Sequence, residues 1–145
     1  MKKILLVVAL TFSVFANDII VKNSCVSLDK TVYNIYDVVE SKNLNIFAKI
    51  NHSGNAKMVG MKLNKSIMVI FGNPKLGTKL MQQDMTVGLD LPLRILVYED
   101  DKGQVKMAYR DGSWLADKHV LDAPKLTAKV NKGMEYFTTT AGSCK

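Results

Sequence analysis

Residues 66–109 read SIMVIFGNPKLGTKLMQQDMTVGLDLPLRILVYEDDKGQVKMAY. Two apolar runs, Ile67–Phe71 and Arg94–Tyr98, bracket a segment dense in turn formers. The unbroken run Ser66–Phe71 suits a central strand buried on both faces. Gly72-Asn73-Pro74-Lys75 then turns the chain, with Asn73 as a helix N-cap and Pro74 at a first helical position that tolerates a missing N–H. Leu76, Leu80 and Met81 would face the core from that helix. Arg94–Glu99 and Val105–Arg110 read as strands, and Gly103 between them supplies the conformation a hairpin loop needs.

Upstream, Asp18–Lys22 is a short β-branched strand. Val32, Ile35, Tyr36 and Val39 repeat at helical spacing behind the caps offered by Ser27 and Asp29, and Asn43 can end that helix in a left-handed conformation. Leu44–Ile50 alternates, with Leu44, Ile46, Ala48 and Ile50 on one face of a strand. His52 follows its end, and residues 56–61 make at most a short helix. Downstream, Asp111-Gly112-Ser113 caps a helix over Trp114–His119. A last helix begins near Pro124 and carries Leu126, Val130, Met134 and Phe137 on one stripe. Gly133 weakens it, and residues 138–145 read as a loose tail. The pattern predicts one α+β domain over residues 17–137, a mainly antiparallel sheet with helices packed on one face.

The 145-residue chain opens on a different logic. Met1-Lys2-Lys3 is basic, Ile4–Phe15 is apolar, and small Ala16 precedes polar Asn17-Asp18. This reads as a secretory signal peptide over residues 1–16, the alternative being an uncleaved anchor. A periplasmic or secreted location follows, with no stable membrane insertion after cleavage, because no later segment is long and apolar enough to span a bilayer. Without Lys2 and Lys3 the basic count falls from 20 to 18 against 13 carboxylates, a net charge of about +5. The lysines read as scattered, with no aromatic residues interleaved to stack bases, so nucleic-acid binding is not expected. In an oxidising compartment Cys25 and Cys144 form a candidate disulfide closing nearly the whole mature chain; the alternative is a free Cys144 on a frayed tail.

FGNPKLGTKLMQ, GLDLPLRILVYEDDKGQVKMAYRD and SWLADKHVL resemble the domain of unknown function 302 family, and INHSGNAKMVGMKL upstream fits the same pattern. The resemblance covers about Ile19 to Leu121. Asn51 stands where the family often has Asp, and Gly112 where it often has Pro. The resemblance implies a compact α+β domain with a TATA-binding-protein-like arrangement, often a homodimer, and it brings no agreed activity. Fold alone does not carry function.

The strand–turn–helix at Gly72–Thr78 is the best site candidate, because a helix N-terminus aims free N–H groups at one point and Lys75 and Thr78 add donors. The P-loop spacing is absent. Asn73, Lys75, Thr78, Arg94 and His52 are the candidate ligand-binding residues, for a small ligand or a periplasmic protein. Their bland reading is a capped turn with surface lysines and a structural Arg94, which can instead brace Asp90. Tyr98 and Tyr109 can meet across the hairpin. His52, His119 and Met81 are candidate metal ligands, and with Met58, Met61 and Met85 they raise haem or copper as the alternative reading. Methionines as core filler are the bland version. Covalent c-type haem is excluded, since no Cys-x-x-Cys-His occurs. No nucleophile elbow or triad pattern is present. Asn51 removes a carboxylate that His52 would need for acid–base work, so no catalytic residue is assigned and enzymatic activity stays open.

Overall fold

The computed structural model describes residues 18–144. The signal-peptide reading lies outside them. Five strands, β1 (Ile20–Asn23), β2 (Asn45–Asn51), β3 (Ser66–Gly72), β4 (Leu93–Glu99) and β5 (Val105–Tyr109), form one open sheet in the order β1-β5-β4-β3-β2. Every pairing is antiparallel. Around it lie α1 (Leu28–Glu40), α2 (His52–Met58), α3 (Pro74–Met81), α4 (Gly112–Lys118) and α5 (Pro124–Ala141), with a 3-10 helix at Met85–Leu89. The fold is α+β.

The local signals act as sequence chemistry predicts. Ser27 caps α1 by accepting from the Lys30 N–H, and Asn43 ends that region at φ 54°. Asp111 caps α4 through the N–H groups of Ser113 and Trp114. In the β4–β5 hairpin, Asp100 Oδ1 accepts from the N–H groups of Lys102 and Gln104, both at 2.9 Å, while Gly103 adopts φ 76°.

Strand alternation then decides which face meets the helices. Val69, Phe71, Ile95, Val97, Met107 and Tyr109 pack against Leu28, Val32, Ile35 and Val39 of α1 and Val130, Met134, Phe137 and Ala141 of α5. Phe71 and Phe137 meet edge to face, centroids 5.4 Å apart. A smaller core of Leu80, Val87, Leu115 and Ala123 gathers α3, the 3-10 helix and α4.

β3 is buried on one face only. Val69 and Phe71 are buried, but Met68 and Ile70 are half-buried, because among the described residues neither apolar core takes in a side chain of that second face. The pairing also sets Tyr98 opposite Lys106 and Tyr109 opposite Ile95, so the two tyrosines lie on opposite faces.

The C-terminus differs most from the sequence expectation. α5 runs through Gly133 to Ala141, so residues 138–141 are helix and not loose tail. Thr138 and Ala141 are fully buried, which outweighs the roughly 1 kcal/mol helix cost of one glycine. The Asn34 amide donates to the Ala141 carbonyl at 2.9 Å. Cys25 and Cys144 are disulfide-bonded, with Cα atoms 5.0 Å apart, and the Cys25 N–H donates to the Gly142 carbonyl at 3.0 Å.

Candidate functional site

β3 delivers the chain to Gly72, and α3 leaves from the Asn73 cap and Pro74. This turn forms one wall of a cleft of about 660 Å³. The floor and sides are apolar: Leu44 and Phe47 from the β2 side, Leu76 and Met81 from α3, Leu91 and Leu93 before β4, and Val130 and Phe137 from α5. Three glycines widen it. A Cβ at Gly72 would meet Phe47 and Pro92 at 3.7 Å, one at Gly77 would meet Leu91 at 3.7 Å, and one at Gly133 would meet Phe137 at 3.4 Å.

Among the described residues, the charged side chains of the lining are all lysines: Lys42, Lys129 and Lys132. Lys42 Nζ stands 4.7 Å over the Tyr136 ring, a geometry in which ring and cation attract. Lys129, Lys132 and Tyr136 recur at three and four residues along α5, beside the stripe that carries Val130 and Phe137 inward. An apolar body with a lysine rim suits a molecule with a hydrophobic portion and a negative head.

The sequence candidates divide between this cleft and elsewhere. Asn73 and Thr78 line it, and so does Met81. The Asn73 side-chain Oδ1 is already engaged, accepting from the Leu76 N–H at 3.2 Å. Lys75 lies outside the lining, exposed on α3. Arg94 belongs to a smaller hollow of about 190 Å³ shared with Asp90, Arg110 and Trp114. It is not paired with Asp90, but it donates to the Leu89 carbonyl at 3.0 Å and so braces the same loop. His52 begins α2 next to Asn51, which pairs with Ile67 at the far end of β3 from the turn.

His119 takes the Asp90 contact instead. Its Nε2 lies 2.8 Å from Asp90 Oδ2 and its Nδ1 3.1 Å from Thr86 Oγ1, so both ring nitrogens are occupied within the protein. His52, His119 and Met81 are not brought to one point. Met58, Met61 and Met85 are exposed side chains and not core filler. Among the described residues no group of three or more His, Cys, Asp or Glu is placed to hold a metal.

The His119 cluster closes the 3-10 helix onto the end of α4. Asp84 is held below its ordinary value of 3.8 by the Thr86 hydroxyl first, and then by the Thr86 and Val120 N–H groups. Lys106 depresses Asp100 through its hydrogen bond, and Lys22 depresses Glu135 in the same way. A carboxylate whose folded value is lowered adds stability above its unfolded value and loses it as pH falls through the folded one. The thermal midpoint is therefore expected to hold between about pH 7 and 5 and to drop from about pH 4 downward. A flat midpoint down to about pH 2.5 would show that these three carboxylates contribute nothing.

A family model, "Domain of unknown function DUF302", matches residues 20–137. The chain belongs to the DUF302 family. A crystal structure of an uncharacterized conserved DUF302 protein from Bacillus stearothermophilus superposes with TM-score 0.69 over 88% of this chain and 97% of that one, at 13% identity. That likeness establishes a shared DUF302 fold. In sequence, the DUF302 chain is 37% identical over 109 residues to "Fluoride-specific ion channel FluC 1" of Brucella suis and to "Fluoride-specific ion channel FluC 2" of Brucella melitensis. Those matches take in 75% of this chain but only 43% and 40% of the relatives, so the chain spans about two-fifths of their length. Among the described residues no helix is long and apolar enough to cross a membrane.

Proposed function

We propose that this DUF302 domain is an exported binding module that takes an amphiphilic anion, an apolar body with a carboxylate or similar head, in the α3–α5 cleft. The cleft carries the reading: apolar walls, a rim of Lys42, Lys129 and Lys132, and no acidic side chain in its lining among the described residues. Its volume of about 660 Å³ falls within the roughly 300–1,000 Å³ of small-molecule sites. The charge pattern selects the head and the walls select the body, so dodecanoate is a fitting probe. Export rests on the reading of residues 1–16. The relatives' name supports a place beside a membrane, since in them a stretch similar to this chain is part of a longer protein called an ion channel.

The test titrates dodecanoate and the equally long cation dodecyltrimethylammonium into the mature protein below their micelle-forming concentrations. Saturable dodecanoate binding, weakened at least about tenfold by Lys42→Glu with Lys132→Glu and by Gly133→Leu, is expected. Equal affinity for the cation, or no saturable binding of dodecanoate, would overturn the reading. Unchanged circular dichroism melts of the variants separate lost binding from lost folding.

We also propose a homodimer built on the sheet face opposite α1 and α5, where α4 reaches only one edge of the row through Trp114 and Leu115. The strand registers set Val21, Ala108, Leu96, Met68 and Ile50 side by side in one row across all five strands. An apolar row of this width suits a second copy of itself. Light scattering at micromolar concentration is expected to give twice the chain mass, falling to one chain mass in Leu96→Lys. A wild-type monomer removes the dimer.

A further inference from the structure

Between α2 and β3 the chain presents Met58, Val59, Met61 and Leu63 with relative exposures of 84%, 71%, 68% and 54%. Four large apolar side chains within six residues face solvent, and Lys57 and Lys62 stand among them. We propose that this loop docks the protein reversibly on an anionic bilayer, with the apolar side chains in the headgroup–acyl boundary and the lysines at the phosphates.

The loop's shape is built in. The N–H groups of Val59 and Met61 both donate to the Ala56 carbonyl, at 3.1 and 2.9 Å, and Gly60 turns the tip at φ 75°. Its base is pinned where the Asn64 amide donates to Asp101 at 3.1 Å and Lys65 lies 3.6 Å from Glu99. The backbone of the tip is therefore shaped by its own hydrogen bonds, and the apolar side chains project from it. The acids at this end are engaged at the base: Asp101 and Glu99 in those contacts, and Asp100 with Lys106 at 2.9 Å.

Charge and size select the occupant. From Ser41 through Gln83 the sequence has seven lysines and no Asp or Glu, so the segments bearing the loop are cationic. Another exposed apolar group, Met85, Leu89 and Val120, adjoins Asp84 and Asp90, and residues 81–93 carry no lysine or arginine to offset them. That setting disfavours an anionic surface. Four side chains on a convex tip offer far less than the roughly 800 Å² per partner of a standard protein interface. They fit an interfacial anchor, where long lysine stems lie along the apolar layer and carry their charge to the headgroups. Methionine side chains adapt to such a disordered surface.

The mature full chain is to be sedimented with phosphatidylglycerol vesicles and with phosphatidylcholine vesicles. Binding to the first, falling with salt, and at least about tenfold weaker binding to the second are expected. Met58→Ser, Val59→Ser and Met61→Ser together should lower the bound fraction about tenfold while leaving the melt unchanged. Independently, the emission of Met61→Trp should shift to the blue on adding phosphatidylglycerol vesicles. Absence of wild-type binding, equal binding to both lipids, or unshifted Met61→Trp emission would overturn the docking. So would a folded triple variant that binds as the wild type does.

Discussion

Replacing Cys25 and Cys144 together by serine is expected to lower the unfolding free energy by about 4 kcal/mol. The two residues are 119 apart in sequence, and a loop of this length carries about 4–5 kcal/mol of closure entropy in the unfolded chain. Both cysteines are exposed, so the substitution opens no core cavity, and the loss acts mainly through the unfolded state. The contacts that survive include Cys25 N–H to Gly142, Asn34 to Ala141, and Ala141 packed in the core. They join Ala141 and Gly142 to α1 and the end of β1, so the folded state keeps its packing and only the residues beyond Gly142 should loosen when the covalent link is cut. Urea unfolding of the oxidised protein, the reduced protein and the double serine variant checks this. Reduced protein and variant should share one midpoint well below that of the oxidised form. A difference under about 1 kcal/mol would mean that the unfolded chain gains little freedom when the bridge is cut.

Fold class was legible because strand period, turn chemistry and caps agree at each step. Ser27, Asn43, Asn73, Gly103 and Asp111 each occupy the position their side chain or backbone freedom suits. Burial was less legible. SIMVIF is apolar at every position but its first, and that pattern does not say whether one face or two will be covered; the number of helices reaching the sheet decides. The end of α5 departs from the sequence expectation for a related reason. Gly133 and the polar run Thr138–Thr140 suggest a break, but Thr138 satisfies its own hydroxyl on the Met134 carbonyl at 2.8 Å and is fully buried.

The site was half legible. The turn at Gly72–Thr78 is local, so its residues could be read from the chain, and Asn73 and Thr78 do line the cleft. The opposite wall comes from α5, more than fifty residues later, and no local pattern joins the two. Lys129, Lys132 and Tyr136 carried a signal of their own, three polar residues at helical spacing beside an apolar stripe. Arg94 and His52 were drawn toward the turn by proximity in sequence or by chemistry, and strand register sends them elsewhere. Arg94 pairs with Ile70 on the face opposite α1 and α5, and His52 follows the residue that pairs with Ile67. The acid-free span from Ser41 to Gln83 was open to inspection. Its seven lysines are widely spaced along the chain, and it is the lack of carboxylates between them that makes the span cationic.

Gly112→Ala is expected to destabilise the protein by about 2–4 kcal/mol. A Cβ at Gly112 would be driven into the Thr127 carbonyl, 2.7 Å from its carbon and 2.8 Å from the Thr127 Cα. These are backbone atoms in the first turns of α5, so no rotamer change relieves the overlap. The helices are also tied side to side, Asn131 donating to Ser113 Oγ at 2.7 Å and accepting from the Ser113 N–H at 3.0 Å. Relief requires α4 and α5 to part, and α5 cannot move without disturbing Val130, Met134 and Phe137 in the core. A chain with Pro at this place, as the family resemblance leads one to expect, must hold the two helices farther apart. Gly77→Ala is the matched control, since a Cβ there meets only Leu91 at 3.7 Å, and removing a helix-interior glycine should raise stability by about 0.5–1 kcal/mol. Denaturant unfolding of both variants should therefore displace the midpoint in opposite directions. Because Lys129, Lys132 and Gly133 ride on α5, Gly112→Ala should also weaken dodecanoate binding. If Gly112→Ala proves as stable as Gly77→Ala, the α4–α5 contact is looser than these distances state, and the cleft wall with it.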